Sequence, residues 1–150
     1  MTPAEASAVE LRALIADPAQ AGSYFADLRD REALIEAGNT LQFVVAPVSL
    51  KGATGADALI GALAEALKFP DWFGGNWDAL ADCLGDLSWW ASEGYVLVIE
   101  HVEDVRGADP EGFAMALEIF DEAAVRWAGQ RVPFWAFLLL PQAQLDAIDG

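Results

Sequence analysis

The sequence predicts an α/β fold with a small, mainly parallel sheet of three to four strands packed by helices. Three apolar stretches rich in Val, Ile, Leu and Phe, near residues 41–49, 95–100 and 133–140, read as buried strands. Helical periodicity and capping signals fill the segments between them, and strands alternating with helices build parallel units. A chain of 150 residues with 55% apolar and 21% charged residues has enough apolar surface for one real core and is not disordered. No internal repeat, low-complexity tract or linker divides it, so residues 1–150 are expected to form a single domain.

Each element has a local reason. Thr2-Pro3-Ala4-Glu5 reads as a capping box with proline at the first helical position, and Val9, Leu11, Leu14 and Ile15 give the following helix (3–16) an apolar stripe. Residues 22–26, with Ser23, Tyr24 and Phe25, predict a short strand. Residues 28–37 have helical composition, and Gly38-Asn39 is a stop signal. Phe43, Val44, Val45 and Val48 mark a strand within 41–50 that Pro47 should interrupt or end. Thr54-Gly55-Ala56-Asp57 opens a helix with Leu59, Ile60, Leu63 and Leu67 on one face, closed by Pro70. Asn76 caps a short helix in which Trp77, Leu80, Ala81 and Leu84 share the core face. Tyr95-Val-Leu-Val-Ile-Glu100 is the clearest strand. Asp109-Pro110-Glu111 opens a long helix with Phe113, Ala116, Leu117, Phe120 and Ala124 inward, and Gln130 marks its exit.

The net charge of −16 excludes binding driven by nucleic-acid phosphates or anionic membranes and favours a basic partner. On its own it is equally accounted for as a means of keeping an apolar-rich chain soluble. The N-terminus lacks the basic and apolar parts of a signal peptide, no apolar run is long enough to cross a bilayer, and Cys83 is the single cysteine, all of which points to the cytosol. The acidity has a focus. Residues 69–105 contain no Lys or Arg, and within them the loop Phe69-Pro70-Asp71-Trp72-Phe73-Gly74-Gly75 feeds the helix that carries Asp78 and Asp82. These two carboxylates are four residues apart on one helix face. A solvated helix face is the bland explanation of such a pair. Trp72 is expected to be exposed and Phe73 buried, because a loop of Pro, Asp and Gly runs over the surface. An exposed Trp beside unpaired carboxylates has the makings of a protein interface.

Other chemistry is thinly supported. His101 has no partner motif. Cys83 has no neighbouring His or Lys to lower its pKa and reads as an inert buried thiol. Gly74-Gly75-Asn76 precedes a helix but lacks the spacing of a phosphate loop, and carboxylates would oppose a phosphate there. Asp78, Asp82 and Glu122 are candidates for a Mg²⁺ site, which keeps a Mg²⁺-dependent acidic-site enzyme as the alternative reading. An acidic binding module for a basic protein that is not a nuclease is a third.

The run Phe-Pro-Asp-Trp-Phe-Gly-Gly-Asn-Trp-Asp-Ala-Leu-Ala-Asp-Cys-Leu resembles the loop and inhibitory helix of the barstar family, intracellular inhibitors of the ribonuclease barnase. The likeness covers roughly residues 41–140 and leaves residues 1–40 as an N-terminal extension, in which Tyr24 and its neighbours add an edge strand. It implies a three-layer-type α/β domain without catalytic activity or cofactor, monomeric when free. It also implies a partner-binding surface at Trp72, Gly74, Asn76, Asp78 and Asp82. A Phe-x-Glu-Ala step at 120–123 adds Glu122 as a further acidic contact. Three positions depart from the family pattern: its loop tyrosine is Trp72 here, an acidic loop residue is Gly75, and a helix tryptophan is Ala81. Mechanism follows from charge. Carboxylates held on a helix can take the places of RNA phosphates among the Arg, Lys and His side chains of a basic ribonuclease.

Overall fold

The computed structural model describes residues 3–149, with side chains from 7 to 148. In chain order the elements are α1 (Pro3–Ile15), β1 (Ser23–Asp27), α2 (Arg31–Thr40), β2 (Val44–Ser49), α3 (Ala56–Ala66), α4 (Trp77–Asp86), β3 (Tyr95–Glu100), α5 (Glu103–Ala108), α6 (Pro110–Ala128), β4 (Phe134–Leu140) and α7 (Gln142–Asp149). The four strands form one sheet in the order β1-β4-β3-β2, every pair parallel. This is the α/β architecture that the alternation of strand and helix predicts.

Alternation along the strands divides the core into two layers. Phe134, Ala136, Leu138 and Leu140 of β4 point with Tyr95, Leu97 and Ile99 of β3 toward α3, α4 and α6. Trp135, Phe137 and Leu139 point with Val96 and Val98 to the opposite face, where Ile15 of α1 and Leu34 and Ala37 of α2 cover them. All seven residues of β4 are buried, as a central parallel strand with helices on both faces requires. α6 is fixed at its start by Asp109, whose Oδ1 accepts from the Gly112 amide at 2.9 Å.

Several local expectations change. The capping box at Thr2 lies outside the described residues. The α1 stripe is half realised: Ile15 is buried and Leu11 partly so, while Val9 and Leu14 are 44% and 43% exposed. Only one edge of α1 meets α2 and the sheet, so a four-residue repeat suffices. Pro47 does not interrupt β2. The strand runs through it, opposite Val98, because β2 is the sheet's edge and its outer side needs no amide donors. α3 begins after Gly55 with no side-chain cap, so Thr54 supplies none. It ends at Ala66, and Lys68 at φ 58° turns the chain before Pro70 is reached. Two short helices, α5 and α7, have no counterpart among the elements the sequence predicts. α5 buries only Val105, too little for a periodic signal.

Gly38 is not a helix stop either. α2 continues to Thr40, and the left-handed turn falls at Gln42, φ 62°. Gly38 is instead where helix and sheet touch: a Cβ there would come within 2.6 Å of Val45 Cγ2. Gly38→Ala sets a helix-propensity gain of up to ~1 kcal/mol against overpacking costs of ~1–3 kcal/mol. Val45 is β-branched and stiff, so a net loss of roughly 1–2 kcal/mol is expected in urea denaturation. A variant more stable than the wild type would show that the β2 edge yields freely.

Candidate functional site

The loop before α4 is built on aromatic rings. The Phe73 amide donates to the Pro70 carbonyl at 3.0 Å and closes a tight turn. Inside it, Phe69 packs against Phe73 (centroids 4.8 Å apart) and against Trp89 (5.8 Å), both edge-on. The Trp89 indole N–H donates to the Leu67 carbonyl at 3.0 Å, which ties this cluster to the end of α3. Trp72 lies outside, edge-on to Trp89 at 6.2 Å and 64% exposed. Phe73 is half-buried, not buried as expected: it packs on Phe69 and against the edge of the main core, at the surface of the loop. The two glycines differ. Gly75 has φ 73° and open space around it, so conformation demands it. Gly74 needs no positive φ and has only an ordinary 3.7 Å contact to Ala79.

Asn76 then caps α4, its Oδ1 accepting from the Ala79 amide at 2.8 Å. Leu80, Cys83 and Leu84 are wholly buried and hold the helix to the core. The Trp127 indole of α6 donates to the Leu84 carbonyl at 2.8 Å in a buried bond. α4 and α6 are thereby locked side by side. Burial raises the Cys83 thiol pKa, and the Asp86 and Asp82 charges add to it, so this thiol is not activated. His101 is exposed and 3.9 Å from Glu103.

Trp77 and Ala81 are half-buried rather than in the core, because they turn toward α6. Between the helices lies an open groove of about 590 Å³ lined by Asn76, Trp77, Asp78, Ala81, Met115, Ile119 and Glu122. The fold therefore brings Asn76 and Asp78 of α4 together with Glu122 of α6, forty-four residues on in sequence. Asp82 is exposed one helical turn beyond Asp78, and Trp72 and Gly74 sit on the loop ahead of the groove; none of these three lines it. Met115 and Ile119 are the residues that sequence reasoning missed. Their signal is the spacing Met115, Ile119, Glu122, one stripe of α6 beside the stripe assigned to the core.

The electrostatics are one-sided. Ion pairs among the described residues join Arg29 to Asp27, Arg31 to Glu32 and Glu100, and His101 to Glu103. Asp78, Asp82 and Glu122 take part in none. Cations do approach the cation-free window in space: Arg31 pairs with Glu100, Lys68 Nζ lies 4.4 Å from the centre of the Trp90 ring, and, nearest the acidic helix, Arg126 of α6 lies across Gly85 of α4. Near the last turns of both helices, its charge faces their carbonyl ends. Among the described residues no three His, Cys, Asp or Glu side chains come together as metal ligands, Asp78, Asp82 and Glu122 included. No described helix is long and apolar enough to cross a membrane.

Residues 43–139 match a family model described as barstar (barnase inhibitor). No curated protein matches. Among solved structures, the ORC1 protein of Aeropyrum pernix, determined in complex with DNA, is 17% identical with a TM-score of 0.50. The alignment covers 97% of this chain and 41% of that one, so the chain spans about two-fifths of its length. At that identity the likeness is one of fold alone.

Proposed function

The chain belongs to the barstar family, and from that premise we propose that it inhibits a basic ribonuclease by seating the α4 face in the enzyme's cationic active site. The observation that carries this reading is the set of exposed carboxylates, Asp78, Asp82 and Glu122, without ion pairs of their own on two helices locked together by a buried bond. A ribonuclease must hold phosphates with cationic side chains. Carboxylates carried on helices already held to each other pair with such groups through charge-assisted bonds, and the backbone beneath them loses little freedom in doing so. Trp72 and Asn76 border the same face, and Gly74 and Gly75 shape the loop between them. In this role the chain is not an enzyme, needs no cofactor, and acts as a monomer in the cytosol.

Titration of barnase and a panel of other basic ribonucleases with the protein tests the reading. Stoichiometric loss of RNA cleavage supports it, and no inhibition across the panel sinks it. Binding to a basic protein without inhibition of any nuclease would favour a binding module instead.

The charge of −16 adds a kinetic consequence. Opposite fields steer association, and salt screens them; the barnase–barstar pair is itself a standard example of such steering. The association rate constant is expected to fall about tenfold or more between low and ~0.5 M salt. Stopped-flow fluorescence reads this directly, and a salt-independent rate would remove the steering argument.

A further inference from the structure

The α4–α6 groove holds more than carboxylates require. Cation pairing needs Asp78 and Glu122 on the rim and nothing beneath them. The apolar lining forms the groove's floor: Trp77 and Ala81 are half-buried, Ile119 is buried and Met115 is exposed. Met115 is 40% exposed although it belongs to the helix that anchors the core. Exposed apolar area of this kind contributes free energy only once it is covered. Its members also suit a flat occupant. Trp77 offers an aromatic ring, and Met115 a flexible thioether that packs against ring edges. Ala81 is the smallest side chain of the lining and sets the depth of the groove. No Lys or Arg lines it, and Arg126 stands beyond it at Gly85.

We propose that this groove is the socket for a bulky aromatic side chain of the basic partner, seated on Trp77, Ala81, Met115 and Ile119 while an adjoining positive charge meets Asp78 and Glu122. This rests on the reading of α4 as the face that meets a basic protein. Charge and shape act together: the rim selects a cationic surface, and the floor selects which residue that surface carries. Aromatic side chains inserted at the centre of an interface dominate its energetics, so Ala81 and Met115 become determinants of partner choice.

The test uses tryptamine, which joins an indole ring to an ammonium group, with the full chain observed by NMR. Saturable shifts of the Ala81, Met115 and Ile119 methyls and of the Trp77 indole N–H are expected, with a dissociation constant in the millimolar range, as fits so small a ligand. Glu122→Gln, at an exposed position, should weaken binding several-fold, and Ala81→Trp should abolish it by filling the floor. Butylamine, a cation without a ring, should leave the floor methyls unmoved. Absent or scattered shifts, or equal response to butylamine, would overturn the socket. The two readings fail separately. A protein that takes tryptamine in the groove but inhibits no ribonuclease loses only the proposed function. One that inhibits a ribonuclease equally well as Ala81→Trp loses only the socket.

Discussion

Asp82→Ala is expected to weaken the complex with the target ribonuclease by about 2 kcal/mol or more without destabilising the protein. That figure is the general range of interface hot spots, to which the barnase–barstar complex itself belongs, and so is taken from the class rather than from this geometry. What the geometry supplies is the reason the loss should appear in binding alone. Asp82 is exposed and joins no ion pair, while its neighbours Leu80, Cys83 and Leu84 are wholly buried and hold the helix in place. Truncating the carboxylate leaves the core untouched and removes a like-charge neighbour from Asp78, worth a few tenths of a kcal/mol in favour of the fold. On the partner it strands a desolvated cation, which is why such losses are large. Calorimetric titration and thermal melting of Asp82→Ala and Asp82→Asn together make the measurement. Asparagine keeps the shape and drops the charge. If it binds as tightly as the wild type, the carboxylate is not standing in for a phosphate.

The elements legible in the sequence are those whose signal is local. β3 and β4 are continuous apolar runs, and α6 announces itself with Asp109-Pro110. Asn76 reads as a cap because its short side chain reaches its own helix, and it does so at 2.8 Å. The errors cluster where a tertiary contact overrides a local rule. Gly38 reads as a stop and is a contact point with Val45. Pro47 reads as a strand end and is tolerated because β2 has a free edge. Trp77 and Ala81 read as core by helical phase, but the phase cannot tell the sheet from α6. The groove itself belongs to no single stretch. Asp78 and Glu122 come from different helices, which meet through a shared core and the Trp127–Leu84 bond.

The first forty residues have the weakest sequence signal, and the family match begins only at residue 43. In the structure, β1 pairs with β4 over five residues, and α1 and α2 cover the sheet face opposite α4. Ser23 also reaches α6: Asp121 Oδ1 accepts from its amide and hydroxyl, both at 2.8 Å, one residue before Glu122. The N-terminal segment thus closes one layer of the core and braces the helix that bears Glu122. Its periodicity is faint because its burial depends on long-range partners. Ile15, fully buried, is covered by a strand residue 120 positions away.

That partner is Trp135, and Trp135→Ala is expected to cost about 3–5 kcal/mol of stability. The indole is 2% exposed, stacks on Phe137 with centroids 5.2 Å apart, and meets Tyr24 of β1 at 5.6 Å. Its N–H donates to the Ile15 carbonyl at 2.8 Å in a buried bond that ends α1. Alanine would open a cavity under α1 and leave that carbonyl unpaired, a further ~1–3 kcal/mol where water cannot reach it. Domains of this size hold about 5–15 kcal/mol in all, so the variant should sit near its unfolding midpoint under mild denaturant. Trp135→Phe narrows the contributions: it keeps a six-membered ring against Phe137 while removing the donor and the smaller ring, for a loss of roughly 1–3 kcal/mol. Urea denaturation gives both values, and hydrogen exchange should show α1 opening first in each. The α4 face lies across the sheet, so whatever fraction stays folded should bind the proposed ribonuclease partner with unchanged affinity. A Trp135→Ala variant within 1 kcal/mol of the wild type would mean that the N-terminal layer is a loose cover rather than half of the core.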